Sequence, residues 1–510
     1  MKAGERDIAR TARWTRLLER VTSCAGRAAL VWRRKPMIPD RILLPLIVAS
    51  ALFMETLDAT VLSTALPAIA EDLGESPIDL KLALTSYLLS LAVFIPASGW
   101  IADRLGVRLV FRVALLVFTA ASIACGFSNS IEQLVGWRIV QGIGGAMMVP
   151  VGRLIILRSV QKSELVSAFA WFTVPALLGP VMGPPLGGFI TTYFDWRWVF
   201  WINVPVGALG IVLATIYFPD IRGAARERFD GVGFFLVGVG LATFVTGSTS
   251  IGIGVLPNWL VITLLIVGVV LLFAYWRHSI RTANPILDLK LLRLTTFRAA
   301  ITGGLLFRIG VGATPFLLPL MLQLTFAMSP FESGMVTFVM AIGAIAMKFL
   351  AIPILRRFGF KSVLITTALI AGVFTAVPAA FEVGTPVIVM VGVLLVGGFF
   401  RSLQFTSLNS MAFDEVPAER MSRATAMTSV MQQLGMSIGI SVAAMALTFT
   451  SGGEEVVRGD FIGPFLLIGA IGSLAALAYW RLPHDAGHEI SGHRQPVATD
   501  ARTMGMPERS

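Results

Sequence analysis

An all-α integral membrane protein, with fourteen crossings arranged as two six-helix bundles and two inserted helices, is the fold class this sequence predicts. Three observations predict it. The 510 residues are 55% hydrophobic and only 14% charged, where soluble chains carry roughly 25% charged residues. Long apolar runs recur along the chain. A short basic pattern, "RLGVR" at 104–108, returns as "RFGFK" at 357–361, 253 residues later.

The composition sets the solvent. A larger core cannot absorb this shortage of charge, because even large soluble proteins need a polar surface. Lipid is therefore the medium for most of the chain. It satisfies no backbone polar group, so the spans are helices or a closed barrel. Uninterrupted apolar runs favour helices, since barrel strands alternate in polarity.

A spanning helix needs about 20 mostly apolar residues. That criterion gives spans one to fourteen at 42–66, 83–102, 109–128, 133–157, 165–193, 198–218, 231–250, 257–276, 299–324, 332–354, 362–382, 386–411, 424–450 and 461–481. The loops test the count. One set (103–112, 158–164, 219–230, 277–298, 355–361, 412–423) holds eighteen Lys or Arg; the other holds only Lys81, Arg197 and Arg458. The positive-inside rule then places both termini in the cytoplasm.

The ends of the chain are read separately. The net charge is +11, and residues 1–35 hold ten Lys or Arg against Glu5, Asp7 and Glu19. This favours a tail on anionic lipid over a nucleic-acid partner. "ARWTRLLERV" puts Trp14, Leu17, Leu18 and Val21 on one side of an interfacial helix. No h-region marks a signal peptide. Cys24 and Cys125 form no disulfide framework or metal cluster. The C-terminal "HDAGHEISGH" reads as a solvated, disordered tail. The expected divisions are 1–40 tail, 41–220 first bundle, 221–285 linker helices, 286–482 second bundle and 483–510 tail.

The repeat carries functional weight. Both copies of the basic pattern follow an even-numbered span, and an offset of eight spans fits a six-helix unit repeated around two inserted helices. Repeated halves are a transporter architecture, with the substrate site at their interface.

Five stretches carry a resemblance: "LDATVLSTALP" (57–67), "GWIADRLGVRL" (99–109), "RIVQGIGG" (138–145), "GPVMGPPLGG" (179–188) and "DWRWVFWINVPVG" (195–207). In that order and at those topological positions the chain resembles the major facilitator superfamily, in its fourteen-helix drug:proton antiporter branch (EmrB/QacA-like). Val107 stands at a commonly basic position of the loop motif. The resemblance implies a transporter in the bacterial cytoplasmic membrane that exports amphipathic drugs or toxic compounds by alternating access. Its energy source is the proton-motive force, with no cofactor. A dedicated exporter or importer of one metabolite is the alternative. The implied partners are a small amphipathic substrate, cationic or zwitterionic, protons and lipid. A periplasmic adaptor is left open; otherwise the chain acts as a monomer.

The embedded charges bear the chemistry. Glu55, Asp58, Arg138, Arg153, Arg308, Lys348 and Arg401 lie inside spans, each at roughly 2.5–3.5 kcal/mol on insertion scales. Glu55 and Asp58 share a helix face. Asp58 and Arg138 fall at matching depths, so they are expected to pair; a permanent lock and a proton-coupling site both fit that pair. The 253-residue offset maps Glu55 onto Arg308, predicting an acid and a base across the transport path. Arg153, Lys348 and Arg401 are expected to snorkel.

In the loop motif, Gly99, Asp103, Arg104, Gly106 and Arg108 are the expected gate. In the antiporter motif, Gly179, Pro180, Gly183, Pro184, Gly187 and Gly188 predict a bent, closely packed helix at the interface of the halves. Candidate pocket residues, besides Arg308, are Phe53, Met54, Phe169, Trp171, Phe172, Phe307, Phe316, Gln323, Gln404 and Phe405. No Walker motif, catalytic His in a span or metal-ligand spacing appears, which argues against an enzyme or an ATP-driven pump.

Overall fold

A computed structural model describes residues 40–74, 81–223, 228–251, 256–452, 456–483 and 485–491. The amphipathic-tail expectation and Cys24 lie outside these residues. Every regular element among the described residues is helical.

Span one is Asp40–Leu73. Span two is Lys81–Phe94 continued by Ser98–Leu105 across a 3-10 turn at Ile95–Ala97. Pro96 explains that turn, because it has no N–H for the α-helical ladder. Spans three, four and five are Val107–Gly126, Ile131–Ser159 and Leu165–Tyr193. Span six is Asn203–Tyr217, entered through Trp198–Trp201. Spans seven and eight are Gly231–Thr249 and Asn258–Arg281, and span nine is Thr295–Leu324. Spans ten and eleven lie within Pro330–Ala376, broken at Gly359. Spans twelve and thirteen are Val387–Met411 and Met421–Ser451. Ile462–Ser473 and Ala475–Trp480 make span fourteen.

Twelve helical segments of the described residues are long and apolar enough to cross a bilayer. One of them, Glu332–Ala380, runs for 49 residues and holds two crossings. Span five, 29 residues without a charged side chain, adds another. The architecture is consistent with the fourteen crossings expected.

The basic repeat is built into the backbone. Gly106 and Gly359 are equivalent under the 253-residue offset, and both take positive φ, at 93° and 71°. Only glycine adopts that conformation without strain. It lets span two turn into span three, and span ten into span eleven, with almost no loop. The packing repeats as well. Span one lies on five, two and three on four, and three on six; span nine lies on thirteen, ten and eleven on twelve, and eleven's helix on fourteen.

The halves touch through span five against spans ten and twelve, and through span four and the end of span two against thirteen. Span seven joins this body: Ser248 Oγ lies 2.7 Å from Ser437 Oγ, and Ser441 Oγ donates to Ser248 O at 2.7 Å. Span eight keeps an outward apolar face of Trp259, Ile262, Ile266, Val270 and Phe273.

The apolar cores divide unequally. At the end bearing the basic loops, one core runs through both halves, from Val48 and Phe111 to Phe360, Met411 and Met427. At the opposite end each half keeps its own, around Val61 and Phe200 or around Leu317 and Phe465. The halves are therefore closed together at the basic end. The C-terminal segment corrects an expectation. Residues 488–491 form a short helix, and Ile490 is 2% exposed within the shared core, with Gly487 just before it set against the Phe360 ring.

Candidate functional site

Span one carries Glu55 and Asp58 through the middle of the first half. Asp58 is fully enclosed. Its Oδ2 accepts from Arg138 Nη1 at 2.5 Å, with both side chains at 0% exposure. Its Oδ1 accepts from Gln141 Nε2 and from Asn203 Nδ2, each at 2.9 Å. Arg138 is held from other sides too. Its Nη1 donates to Gln141 Oε1 at 2.7 Å and its Nε to Ala83 O at 3.1 Å. Its guanidinium carbon lies 4.4 Å from the Tyr87 ring centre. Asn203 also donates to Ser122 Oγ at 3.0 Å. A buried ion pair survives when such hydrogen bonds satisfy its remaining polar atoms.

The expected Asp58–Arg138 contact is thus made. Gln141, Asn203, Ser122 and Tyr87 are the parts sequence reasoning missed. Gln141 had a signal: it stands three residues after Arg138, on the same helix face. Asn203 is the one amide in span six, a costly group for lipid and so a sign of a partner.

Glu55 differs from its neighbour. It lies one turn from Asp58, and its Oε2 is buried without a hydrogen-bond partner. The expected meeting with Arg308 does not occur in this structure, where all three guanidinium nitrogens of Arg308 also lack partners. The reason is the path of the arginine. Its side chain runs back along span nine towards Gly304 and lies 5.9 Å from the Phe405 ring centre, inside the second half. Glu55 stays in the first.

Span five clamps the acidic turn. A Cβ at Gly179 would fall 2.1 Å from Thr56 Oγ1, and one at Gly183 would fall 2.1 Å from Thr60 Oγ1. These glycines press span five onto the residues flanking Glu55 and Asp58. Thr60 Oγ1 reaches Gly179 O at 3.3 Å. Gly188 takes no part in that clamp, with nothing within 4 Å of its Cβ direction; the carbonyls of Gly187 and Gly188 accept from Thr191 Oγ1 at 2.9 and 3.3 Å. The helix is continuous over Leu165–Tyr193, and the side chains of Pro180 and Pro184 lie outside the described residues.

The loop motif closes the basic end. A Cβ at Gly99 would meet Ser422 O at 2.6 Å, so spans two and thirteen approach backbone to backbone. Asp103 Oδ1 accepts from Arg158 Nη2 at 2.7 Å, its Oδ2 accepts from Ser422 Oγ, and its carbonyl accepts from Gly223 N at 3.0 Å. Arg108 donates to Thr215 O, and Arg104 lies over the Trp100 ring at 5.4 Å. Asp103 therefore joins spans two, four and thirteen, which sequence alone could not specify.

The snorkelling expectation is overturned for Arg153 and Lys348. Arg153 is 1% exposed and reaches across the halves to Ser429 Oγ at 3.5 Å and Gln432 Oε1 at 3.3 Å. Lys348 bridges Thr173 Oγ1 at 3.2 Å and Thr406 Oγ1 at 2.8 Å. Arg401 donates to Val311 O in span nine at 3.4 Å. These groups therefore find polar partners on facing helices. Of the pocket candidates, Met54, Phe169, Phe172, Phe307 and Gln404 are buried; Gln404 accepts from Thr367 Oγ1. Phe53, Trp171, Phe316, Gln323 and Phe405 are half-buried. No group of His, Cys, Asp and Glu among the described residues could hold a metal ion.

The Major Facilitator Superfamily profile matches residues 48–230 and 300–504. The chain belongs to the major facilitator superfamily. The match passes over residues 231–299, which hold spans seven and eight. Curated relatives carry the name "Putative multidrug resistance protein MdtD". That of Serratia proteamaculans is 37% identical, covering 89% of this chain and 96% of the relative. That of Pectobacterium carotovorum is 38% identical, covering 86% and 95%. Among solved structures, the proton:xylose symporter XylE aligns with a TM-score of 0.61 at 15% identity, over 88% of this chain and 97% of XylE. That likeness shows the fold alone.

Proposed function

We propose that this major facilitator protein is a proton-coupled exporter of amphipathic compounds, working by alternating access between bundles 41–220 and 286–482. Both termini and the basic loops face the cytoplasm of a bacterial cell, across its inner membrane. The proton-motive force is the only energy source. The name carried by the relatives, multidrug resistance, supports export.

The observation that carries this reading is the acidic turn of span one. Asp58 accepts three hydrogen bonds, while Glu55 leaves an oxygen without any. Glu55 is the carboxylate free to exchange a proton in this state. Asp58 becomes free only when Arg138, Gln141 and Asn203 move away. Span five ties that turn to spans ten and twelve of the other half, so rocking of the halves reaches both carboxylates. Each charge moved across the membrane draws about 2.3 kcal/mol per 100 mV.

The test uses purified protein in liposomes with an imposed pH gradient, following fluorescent-substrate uptake and proton movement together. Wild type is expected to couple the two, and Asp58→Asn to lose both. Equal transport and coupling in Asp58→Asn would make Asp58 a structural lock and end its assignment as the coupling group.

A further inference from the structure

The seven charges embedded in the spans away from their ends do not balance. Asp58 and Arg138 neutralise each other. Glu55 then stands against Arg153, Arg308, Lys348 and Arg401. The contacts of Arg153, Lys348 and Arg401 go to hydroxyls, an amide and a carbonyl. Arg308 is 2% exposed and makes no hydrogen bond through Nε, Nη1 or Nη2. An uncompensated buried ion costs several kcal/mol, so a group of this kind is retained where a counter-charge arrives.

The geometry gathers two of these cations on one face of span thirteen. Arg153 comes from span four and touches Ser429 and Gln432. Arg308 comes from span nine and packs where Gly435 has no side chain; a Cβ there would lie 2.8 Å from its own Cβ. Residues 429, 432 and 435 are successive i, i+3 neighbours on that face. Gly304 leaves room for the guanidinium, since a Cβ there would lie 2.6 Å from Nη1. Phe172 stands 6.0 Å from the Arg153 guanidinium carbon, and Phe405 stands 5.9 Å from that of Arg308. Two arginines from opposite halves, flanked by aromatic rings, form a fork for a planar anion with an apolar body.

We propose that Arg308 and Arg153 form an anion site between the halves, and that the transported compound is an amphipathic organic anion bearing a carboxylate. This rests on the exporter reading and replaces the cationic class expected from sequence.

Two probes sharing one aromatic body decide the point: 2-naphthoate and (2-naphthylmethyl)trimethylammonium. Each is titrated against the full chain in nanodiscs while the melting temperature is followed. Naphthoate is expected to stabilise wild type saturably, and the ammonium probe not to. Arg308→Met should weaken the naphthoate response at least tenfold, and Arg308→Lys by less. Without ligand, Arg308→Met should melt no lower than wild type, because it removes an unpaired charge. Arg153→Gln supplies the same comparison should Arg308→Met not fold. Stabilisation by the ammonium probe alone, no response to either probe, or unchanged naphthoate binding in the variants overturns the anion site. Uptake driven by a pH gradient separates the two readings. Naphthoate binding without proton-driven uptake keeps the site and removes the exporter; proton-driven uptake of ethidium, without naphthoate binding, does the reverse.

Discussion

Asp58 and Arg138 sit 2.5 Å apart at 0% exposure, so removing one strands the other. Breaking a buried pair from one side costs about 3–5 kcal/mol, while replacing both partners together costs far less. Arg138→Met alone is expected to lower stability by about that amount. The double variant with Asp58→Asn should recover most of it. A double-mutant cycle on thermal unfolding measures the coupling; additive effects would show that the contact carries no energy. Gln141 and Asn203 each hold one further bond to Asp58, so Asn203→Ala is expected to cost about 1–3 kcal/mol. The same melting measurement checks it.

At the scale of elements, span five shows how glycine position decides packing. Gly183 lies against Thr60, whereas Gly188 has no atom within 4 Å of its Cβ direction. Gly183→Leu is expected to destabilise by at least about 1–3 kcal/mol through overpacking, and to reduce transport by displacing the acidic turn. Gly188→Ala should leave both unchanged. Expression, melting and uptake of the two variants, measured side by side, check the contrast. The motif text gives both glycines equal weight. Only the rotation of span five about its axis tells which of them faces span one.

Across the whole molecule, one shared core at the basic end and two separate cores at the other describe a state closed at a single end. Asp103 holds that closure through Ser422 of the other half, while Arg158 of its own half fixes the carboxylate. Asp103→Ala is expected to open the basic end. Spin labels at 105 and 420, both exposed positions, should then report a longer and broader distance distribution. An unchanged distribution would show that Asp103 does not gate. This prediction belongs to the assembled protein, because Asp103 and Ser422 are separated by 319 residues.

Hydropathy and loop charge gave an order of crossings with which the helical architecture is consistent, because transfer of each segment into lipid depends on that segment alone. Helical rise matched the depths of Asp58 and Arg138, and the repeat of basic, apolar, Gly, apolar, basic anticipated two equivalent turns at Gly106 and Gly359. What the tertiary structure alone decided was partnership. Gln141, Asn203 and Ser122 close around Asp58; Glu55 and Arg308 remain in separate halves; Arg153 and Lys348 bond across the halves instead of reaching water. Those outcomes depend on how each helix is rotated and which distant helix it meets. No local pattern of residues specifies that rotation, since it is set by packing among all the spans at once.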